Sequence, residues 1–286
     1  MAEPLGVEEV RRALAEDRAA DDVTTRLLGA TARRLACAHF VAEGRFVVAG
    51  LPVVAQVYAE LDRDARVEQA CPEGEWTAPG AVLAQVRAAA GSLLAGERVA
   101  LNFLQRLSGV ATLTRRAAEA VAGTGARITH TRKTTPGLRA LERYAVTVGG
   151  GVENRGSLAA AILWKDNHWA LLGRGELAAA LATAPGGVPV VVEVEDDAQL
   201  EQALAAGVRH ILADNQTPQR VAAWVRRAGP GVTVQASGGI TPETARAYAE
   251  AGALLISIGA LTHSAPAVPI RCEIALPADP AVAVPA

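Results

Sequence analysis

The chain has 286 residues, half of them apolar, with 28 basic and 30 acidic side chains for a formal net charge of −2. That balance, with only 3% aromatic residues, gives no reason to expect a nucleic-acid partner and argues against base-stacking platforms. No apolar run is long enough to span a membrane, the acidic N-terminal stretch lacks the apolar core of a signal peptide, and Cys37, Cys71 and Cys272 are too scattered for a metal knuckle, so the thiols read as reduced and the expected setting is cytoplasmic.

The first element is helical, "VEEVRRALAED" (7–17). "RRLACAHFVAEGRFVVAGLPVVAQVYAEL" (33–61) and "GAVLAQVRAAAG" (80–91) follow, with apolar alternation broken by glycine turns, the pattern of a small α+β domain with an antiparallel sheet. A long helical stretch (92–123) leads out of it. From residue 126 onward, short β-branched runs alternate with alanine-rich helical segments: "ARITHT" (126–131), "AVTVGG" (145–150), "AAILWK" (160–165), "VPVVVEVE" (188–195), "RHILAD" (209–214), "VTVQAS" (232–237) and "ALLISIG" (253–259). Two of the helices between them open with Thr-Pro, at 217–218 and 241–242, and three close with glycine. Strands and helices alternating in this way predict parallel βαβ units and an α/β barrel of TIM type, about one strand short of eight. The expected organisation is an N-terminal domain over 1–108, a barrel over 109–266, and a tail, 267–286, packing back on the first domain.

Barrel chemistry gathers at the C-terminal ends of the strands. Those ends carry Arg132 and Lys133; Gly149, Gly150 and Gly151 with Asn154 and Arg155; Lys165, Asp166, Asn167 and His168; Glu193 and Glu195; Asp214 and Asn215; Ser237, Gly238 and Gly239; then Gly259 and His263. Only two of the 28 basic residues are lysine, Lys133 and Lys165, and both stand on this rim with three of the four asparagines. A chain that writes arginine almost everywhere keeps lysine where a compact ammonium is required. Four cations from three strand ends suit a substrate bearing carboxylates or phosphates. Glu193 and Asp214 suit Mg²⁺, ribose hydroxyls or a developing cation, and the glycine turns after the last two strands suit a phosphate. His39, His130 and His210 read as structural.

The motifs "THTRKTTPGLRALERYAVTVGGG", "ILWKDNH", "VEVE", "ILADN", "SGGI" and "IGALTHS", with "ALAEDRAADDVTT" and "GERVALNFLQRLSGVAT" before them, resemble the quinolinate phosphoribosyltransferase family across nearly the whole chain. The resemblance implies an N-terminal α/β sandwich packed with an open seven-stranded barrel. It also implies a homodimer, alone or within a larger assembly, in which Arg98 reaches into the partner's site. Arg98, Arg132, Asn154, Arg155 and Lys165 would bind the carboxylates of a pyridine, with His168 beside them, and Lys133 would lie between the pyridine and phosphoribosyl pyrophosphate (PRPP). Glu193 and Asp214 would contact the ribose and the Mg²⁺ held by pyrophosphate, while Ser237, Gly238, Gly239, Gly259 and His263 would hold the 5′-phosphate. Catalysis would rest on Lys133, Lys165, Glu193 and Asp214, with Mg²⁺ as cofactor.

The chain departs from the family at three places: Asn154 stands where relatives carry histidine, Ala160 where an acid is common, and Val191 where the first glutamate of the "EVEV" strand is usual. The expected reaction is phosphoribosyl transfer to quinolinate with loss of CO₂. The alternatives are a homologue retuned for another heteroaromatic acid, a molybdenum-transport-associated relative, or a non-catalytic binding protein.

Overall fold

The computed structural model describes residues 4–172 and 175–276; the last part of the expected returning tail, 277–286, lies outside the described residues. In chain order the helices and strands are α1 (Val7–Glu16), α2 (Val23–Arg26), β1 (Leu35–Ala42), α3 (Leu51–Leu61), β2 (Arg66–Gln69), β3 (Val82–Ala89), α4 (Ala90–Ala120), β4 (Arg127–Thr129), α5 (Arg139–Val148) and β5 (Ile162–Trp164). They continue with α6 (Asp166–Leu172), α7 (Leu177–Ala182), β6 (Val190–Val194), α8 (Asp197–Ala205), β7 (His210–Asp214), α9 (Pro218–Ala228), β8 (Thr233–Ser237), α10 (Pro242–Glu250), β9 (Leu255–Ser257), α11 (Ala260–His263) and β10 (Ile270–Ala275). Among the described residues no helix is long and apolar enough to cross a membrane.

Two compact units result. The first gathers Met1–Thr112, Pro136–Gly149 and Ala265–Ala286. Its sheet is antiparallel, in the order β10-β1-β3-β2, so the last described strand pairs with the first. Along β1 the side chains of Ala36, Ala38 and Phe40 are buried in alternation, as a strand covered on one face requires, until the register shift at Phe40/Val41, after which Val41 and Ala42 are both buried. Phe40 meets Tyr58 of α3 edge-on at 6.3 Å. The α3 N-terminus is capped by a distant carboxylate: the N–H groups of Gly50 and Leu51 donate to Glu73 Oε1 at 2.5 and 2.7 Å.

α5 belongs to this first unit, although the sequence pattern places its second half as a barrel strand. The run Ala145–Val148 is β-branched, yet it forms the last turns of an amphipathic helix that buries Leu141, Glu142, Ala145 and Val146. Burial along that stripe outweighs strand propensity. Two polar ties hold the helix: buried Glu142 accepts from Arg106 Nη2 at 2.7 Å, and the Tyr144 hydroxyl donates to Glu73.

The second unit gathers Leu113–Thr135 and Gly150–Ser264. It is a parallel six-stranded sheet in the order β4-β9-β8-β7-β6-β5, with helices after the strands. A seventh position exists as a single parallel bridge between Thr129 and Val152, seven residues downstream of the expected strand's start, and no ladder among the described residues joins it to β5. The unit is therefore an open barrel of six strands and one bridge. The caps are those the sequence signals: Thr217 accepts from Arg220 N–H at 3.3 Å with Pro218 first in α9, and Thr241 with Thr244 forms a capping box ahead of α10. Inside the sheet His210 Nε2, Gln235 and Ser257 form a hydrogen-bonded chain across β7, β8 and β9 at 2.7 and 2.5 Å. His210 is thus satisfied within the fold, and its burial pushes its pKa down.

Candidate active site

The strand ends of the second unit assemble in three groups. The β4 and β9 ends, neighbours in the sheet, bring Lys133 to Gly259 and His263. Thr262 Oγ1 donates to the Lys133 carbonyl at 2.7 Å, and Lys133 N–H donates to Thr131 Oγ1 at 3.1 Å, so the backbone of this lysine is fixed while its side chain is exposed. A methyl group at Gly259 would stand 3.0 Å from His263 Nε2 and 3.5 Å from Lys133 Cδ. Glycine there keeps the space between the Lys133 and His263 side chains open. Nothing in the sequence singles out Thr262, whose role is visible only once β9 lies beside β4.

The β7 and β8 ends form the second group. Asn215 takes a left-handed conformation at φ 54°, donates its N–H to the Ser237 carbonyl at 2.9 Å and its Nδ2 to Asp214 Oδ2 at 2.7 Å. Gly238 sits against it with φ 96°; a side chain there would run into Asn215 Oδ1 at 2.2 Å. Asp214 and Ser237 are paired in register. The turn Ser237-Gly238-Gly239, both glycines at positive φ, can present main-chain N–H groups to an anion.

The third group is the most charged. Lys165 Nζ lies 3.6 Å from Glu193 Oε2, and Glu193 is only 7% exposed. Burial pushes the Glu193 carboxyl above its ordinary range; Lys165 opposes that, while Asp214 and Asp166 add to it. Arg155 is shifted the other way: burial first, then the nearby Arg132, lower its pKa, and Glu193 partly offsets them. These six side chains therefore form a single cluster, with Arg132, Arg155 and Lys165 after β4 and beside β5, Asp166 at the start of α6, and Glu193 and Asp214 on β6 and β7. Two like-charged guanidiniums brought together across a half-buried surface invite a multivalent anion.

Asn154 and His130 hold the arginine in place. Asn154 Nδ2 donates to the His130 carbonyl at 3.0 Å, its N–H donates to His130 Nε2 at 3.2 Å, and its Oδ1 accepts from Arg155 N–H at 2.8 Å. Arg155 Nη1 then donates to the Ala161 carbonyl at 3.2 Å. His130 is buried, with its ring beside Glu153 at 3.2 Å. Among the expected residues Arg98 belongs to the first unit, where it is exposed on α4.

His168 follows from α6. Its Nδ1 accepts from the Lys165 N–H at 3.0 Å, and its neighbour Trp169 donates from Nε1 to the Glu193 carbonyl at 2.9 Å. Trp169 was not legible as a site residue; its scarcity in a chain with four tryptophans, directly after "KDNH", was the available signal.

Residues 22–108 match the N-terminal domain, and residues 110–273 the C-terminal domain, of the quinolinate phosphoribosyl transferase family. The chain is 40% identical over 263 residues to the nicotinate-nucleotide pyrophosphorylase [carboxylating] of Mycobacterium leprae, covering 89% of this chain and 92% of that protein. It is 38% identical over 229 residues to the protein of that name from Homo sapiens, covering 78% and 76%. The crystal structure of NadC from Streptococcus pyogenes superposes with a TM-score of 0.89 at 33% identity, covering 96% of this chain and 98% of that one.

Proposed function

The chain belongs to the quinolinate phosphoribosyl transferase family, and from that premise we propose that it transfers the phosphoribosyl group of PRPP to quinolinate, releasing pyrophosphate and CO₂ and leaving nicotinate mononucleotide for NAD synthesis. The observation that carries the reading is the single charge cluster of Arg132, Arg155, Lys165, Glu193 and Asp214 at adjoining strand ends, with glycine turns at the next two.

Charge placement accounts for the chemistry without a side-chain nucleophile. The two carboxylates of the pyridine are bound by Arg132, Arg155 and Lys165, the arginines gripping in bidentate fashion. The 5′-phosphate is held at Ser237-Gly238-Gly239 and at Gly259 with His263, and Lys133 lies between the two substrates. The pyridine nitrogen lone pair then bonds to ribose C1′ as the C1′–oxygen bond breaks and its electron pair leaves with pyrophosphate. Glu193 and Asp214 face the positive charge that develops at the ribosyl centre. In the resulting pyridinium the adjacent carbon–carboxylate bond breaks, its electrons enter the ring, CO₂ departs and the carbon takes up a proton. Orientation and electrostatics supply the rate, so the rigid strand ends matter more than any single acid or base.

The donor set fits Mg²⁺ brought in with PRPP. Glu193 and Asp214 offer hard carboxylate oxygens, and among the described residues no cluster of three or more His, Cys, Asp or Glu could cage an ion alone. Mg²⁺ bound there would neutralise the leaving pyrophosphate.

A homodimer completes the reading. Leu94 and Arg98 lie one turn apart on one face of α4, and Leu94 lines an open cavity of about 490 Å³ with Val23 and Arg26. Val23 and Leu27 nearby are 71% and 86% exposed, an apolar surface suited to a second copy that would receive Arg98 in its site. The three cysteines are free thiols, which supports a cytoplasmic setting.

Purified protein given Mg²⁺, PRPP and quinolinate is expected to release CO₂ and nicotinate mononucleotide; pyrophosphate release only with a different aromatic acid would replace quinolinate in this reading. Mixing the inactive variants Arg98→Ala and Lys133→Ala tests the shared site, because a mixed dimer regains one intact centre. No recovery of activity on mixing would remove the role of Arg98 across the interface.

A further inference from the structure

The corner between β5 and α6 contains three aromatic rings for which the proposed chemistry gives no direct part. His168 is exposed, yet one of its ring nitrogens is committed: the Lys165 N–H donates to Nδ1 at 3.0 Å, so the ring proton of the neutral form sits on Nε2. In return the N–H groups of His168 and Trp169 donate to the Lys165 carbonyl at 2.8 and 3.0 Å. Both polar groups of the Lys165 peptide backbone are thus tied into the first turn of α6.

The His168 ring lies 5.5 Å from that of Trp164, and Trp164 meets Trp169 edge-on at 5.9 Å. Trp169 is buried, and its Nε1 donates to the main-chain carbonyl of Glu193 at 2.9 Å. The rings therefore join the backbone that carries Lys165 to the backbone that carries Glu193, whose side chains meet at 3.6 Å. An ordinary packing role would need the ring bodies alone. Here each of the two polar ring atoms in contact reaches the main chain of a charged site residue, one per residue.

We infer that His168 and Trp169 are positioning residues: His168 Nδ1 fixes the Lys165 main chain, Trp169 Nε1 fixes that of Glu193, and together they set the spacing of ammonium and carboxylate. A lysine on its flexible stem gains most from a fixed root, because the stem's own rotamer freedom is large. This assigns His168 a different part from the substrate contact that the family resemblance implies for it. The inference rests on the proposed reaction, in which Lys165 grips a pyridine carboxylate and Glu193 faces the ribosyl centre.

Two amide replacements separate the ring nitrogens. His168→Asn keeps an acceptor where Nδ1 stands and removes Nε2; His168→Gln keeps a donor near Nε2 and removes the acceptor. His168→Asn is expected to stay within about threefold of the parent, and His168→Gln to lose about tenfold in kcat/KM through a higher KM for the pyridine acid. Trp169→Phe is expected to lower kcat about tenfold with the KM for that acid within about twofold, since Glu193 acts on the transition state. Thermal melts verify that each variant is folded. The opposite order of the His168 variants, or full activity in Trp169→Phe, overturns the inference.

A reading independent of turnover comes from ¹⁵N NMR of the histidine rings in the substrate-free protein, with His168→Asn identifying the signal. In the neutral ring a bare Nδ1 and a protonated Nε2 are expected, and a neutral ring protonated on Nδ1 overturns the inference whatever the activity. A wild-type protein inactive toward quinolinate, but showing the expected His168 tautomer, would strike the proposed reaction and leave the placement of Lys165 standing.

Discussion

Asn154 donates its side-chain amide to the carbonyl of His130 at 3.0 Å and its backbone N–H to the His130 ring at 3.2 Å, while its carbonyl oxygen receives the N–H of Arg155. Both side-chain polar atoms of Asn154 are thus turned onto the neighbouring main chain, so this residue acts on the aim of Arg155 and not by lending a contact to the substrate. Asn154→Ala should raise the KM for the pyridine acid about tenfold and leave that for PRPP nearly unchanged, as steady-state kinetics with each substrate varied would show. An equal rise in both would mean that Asn154 supports the whole rim.

Lys133 stands with its stem 3.5 Å from where a methyl at Gly259 would lie, opposite His263. A planar guanidinium is wider than an ammonium and cannot occupy that space in the same pose. Lys133→Arg should cost at least about tenfold in kcat/KM at unchanged melting temperature. Activity near the parent's would show that charge alone is required there and that the scarcity of lysine carries no message.

Glu193 has its pKa raised by burial. Folding therefore penalises its charged form: its stabilising contribution is whole below the ordinary carboxylate range and is lost as pH rises through the raised value. Glu193→Gln should melt above the parent at neutral pH, and the gap should close in acid. The same carboxylate must be ionised to face a developing cation, so kcat should fall on acidification at a higher pH than an ordinary glutamate would set. Calorimetry and a kcat–pH profile report the two signs separately.

Gly238 combines φ 96° with an approach to Asn215 that leaves no room for a side chain. Gly238→Ala should cost about 1–3 kcal/mol in backbone strain alone, and more as Asn215 is displaced. PRPP binding, followed by calorimetry, should weaken more than binding of the pyridine acid. Unaltered PRPP affinity would remove this turn from the phosphate site.

Much of this was readable from residues alone, for physical reasons. β6 to β9 are short β-branched runs bounded by Thr-Pro caps and glycine stops, so local preference and tertiary placement agree. Ala145–Val148 is where they part: the run looks like a strand, but its partner is the apolar interior of the first unit, and one bridge at Val152 stands in for the strand. The charged rim was legible because lysine and asparagine are rare enough here for each to be noticed. The supports were not: Thr262, His130 and Trp169 act through main-chain atoms of distant segments, and no spacing rule encodes such a tie. The domain limits show the same thing, since Pro136–Gly149 groups with the first unit from the middle of the barrel sequence.

The pairing of β10 with β1 sets an order on biogenesis. Strand β1 lies between β10 and β3, so until residues 270–275 leave the ribosome one edge of it, from Cys37 to Ala42, has no partner. The segment made earliest is finished last, and α5, made in between, must also be delivered to it. Ordinary one-domain-at-a-time folding during synthesis is closed to this architecture. An unpaired edge bearing Phe40 and Val41 must wait through the translation of the whole barrel, and that interval is when the nascent chain most needs a chaperone.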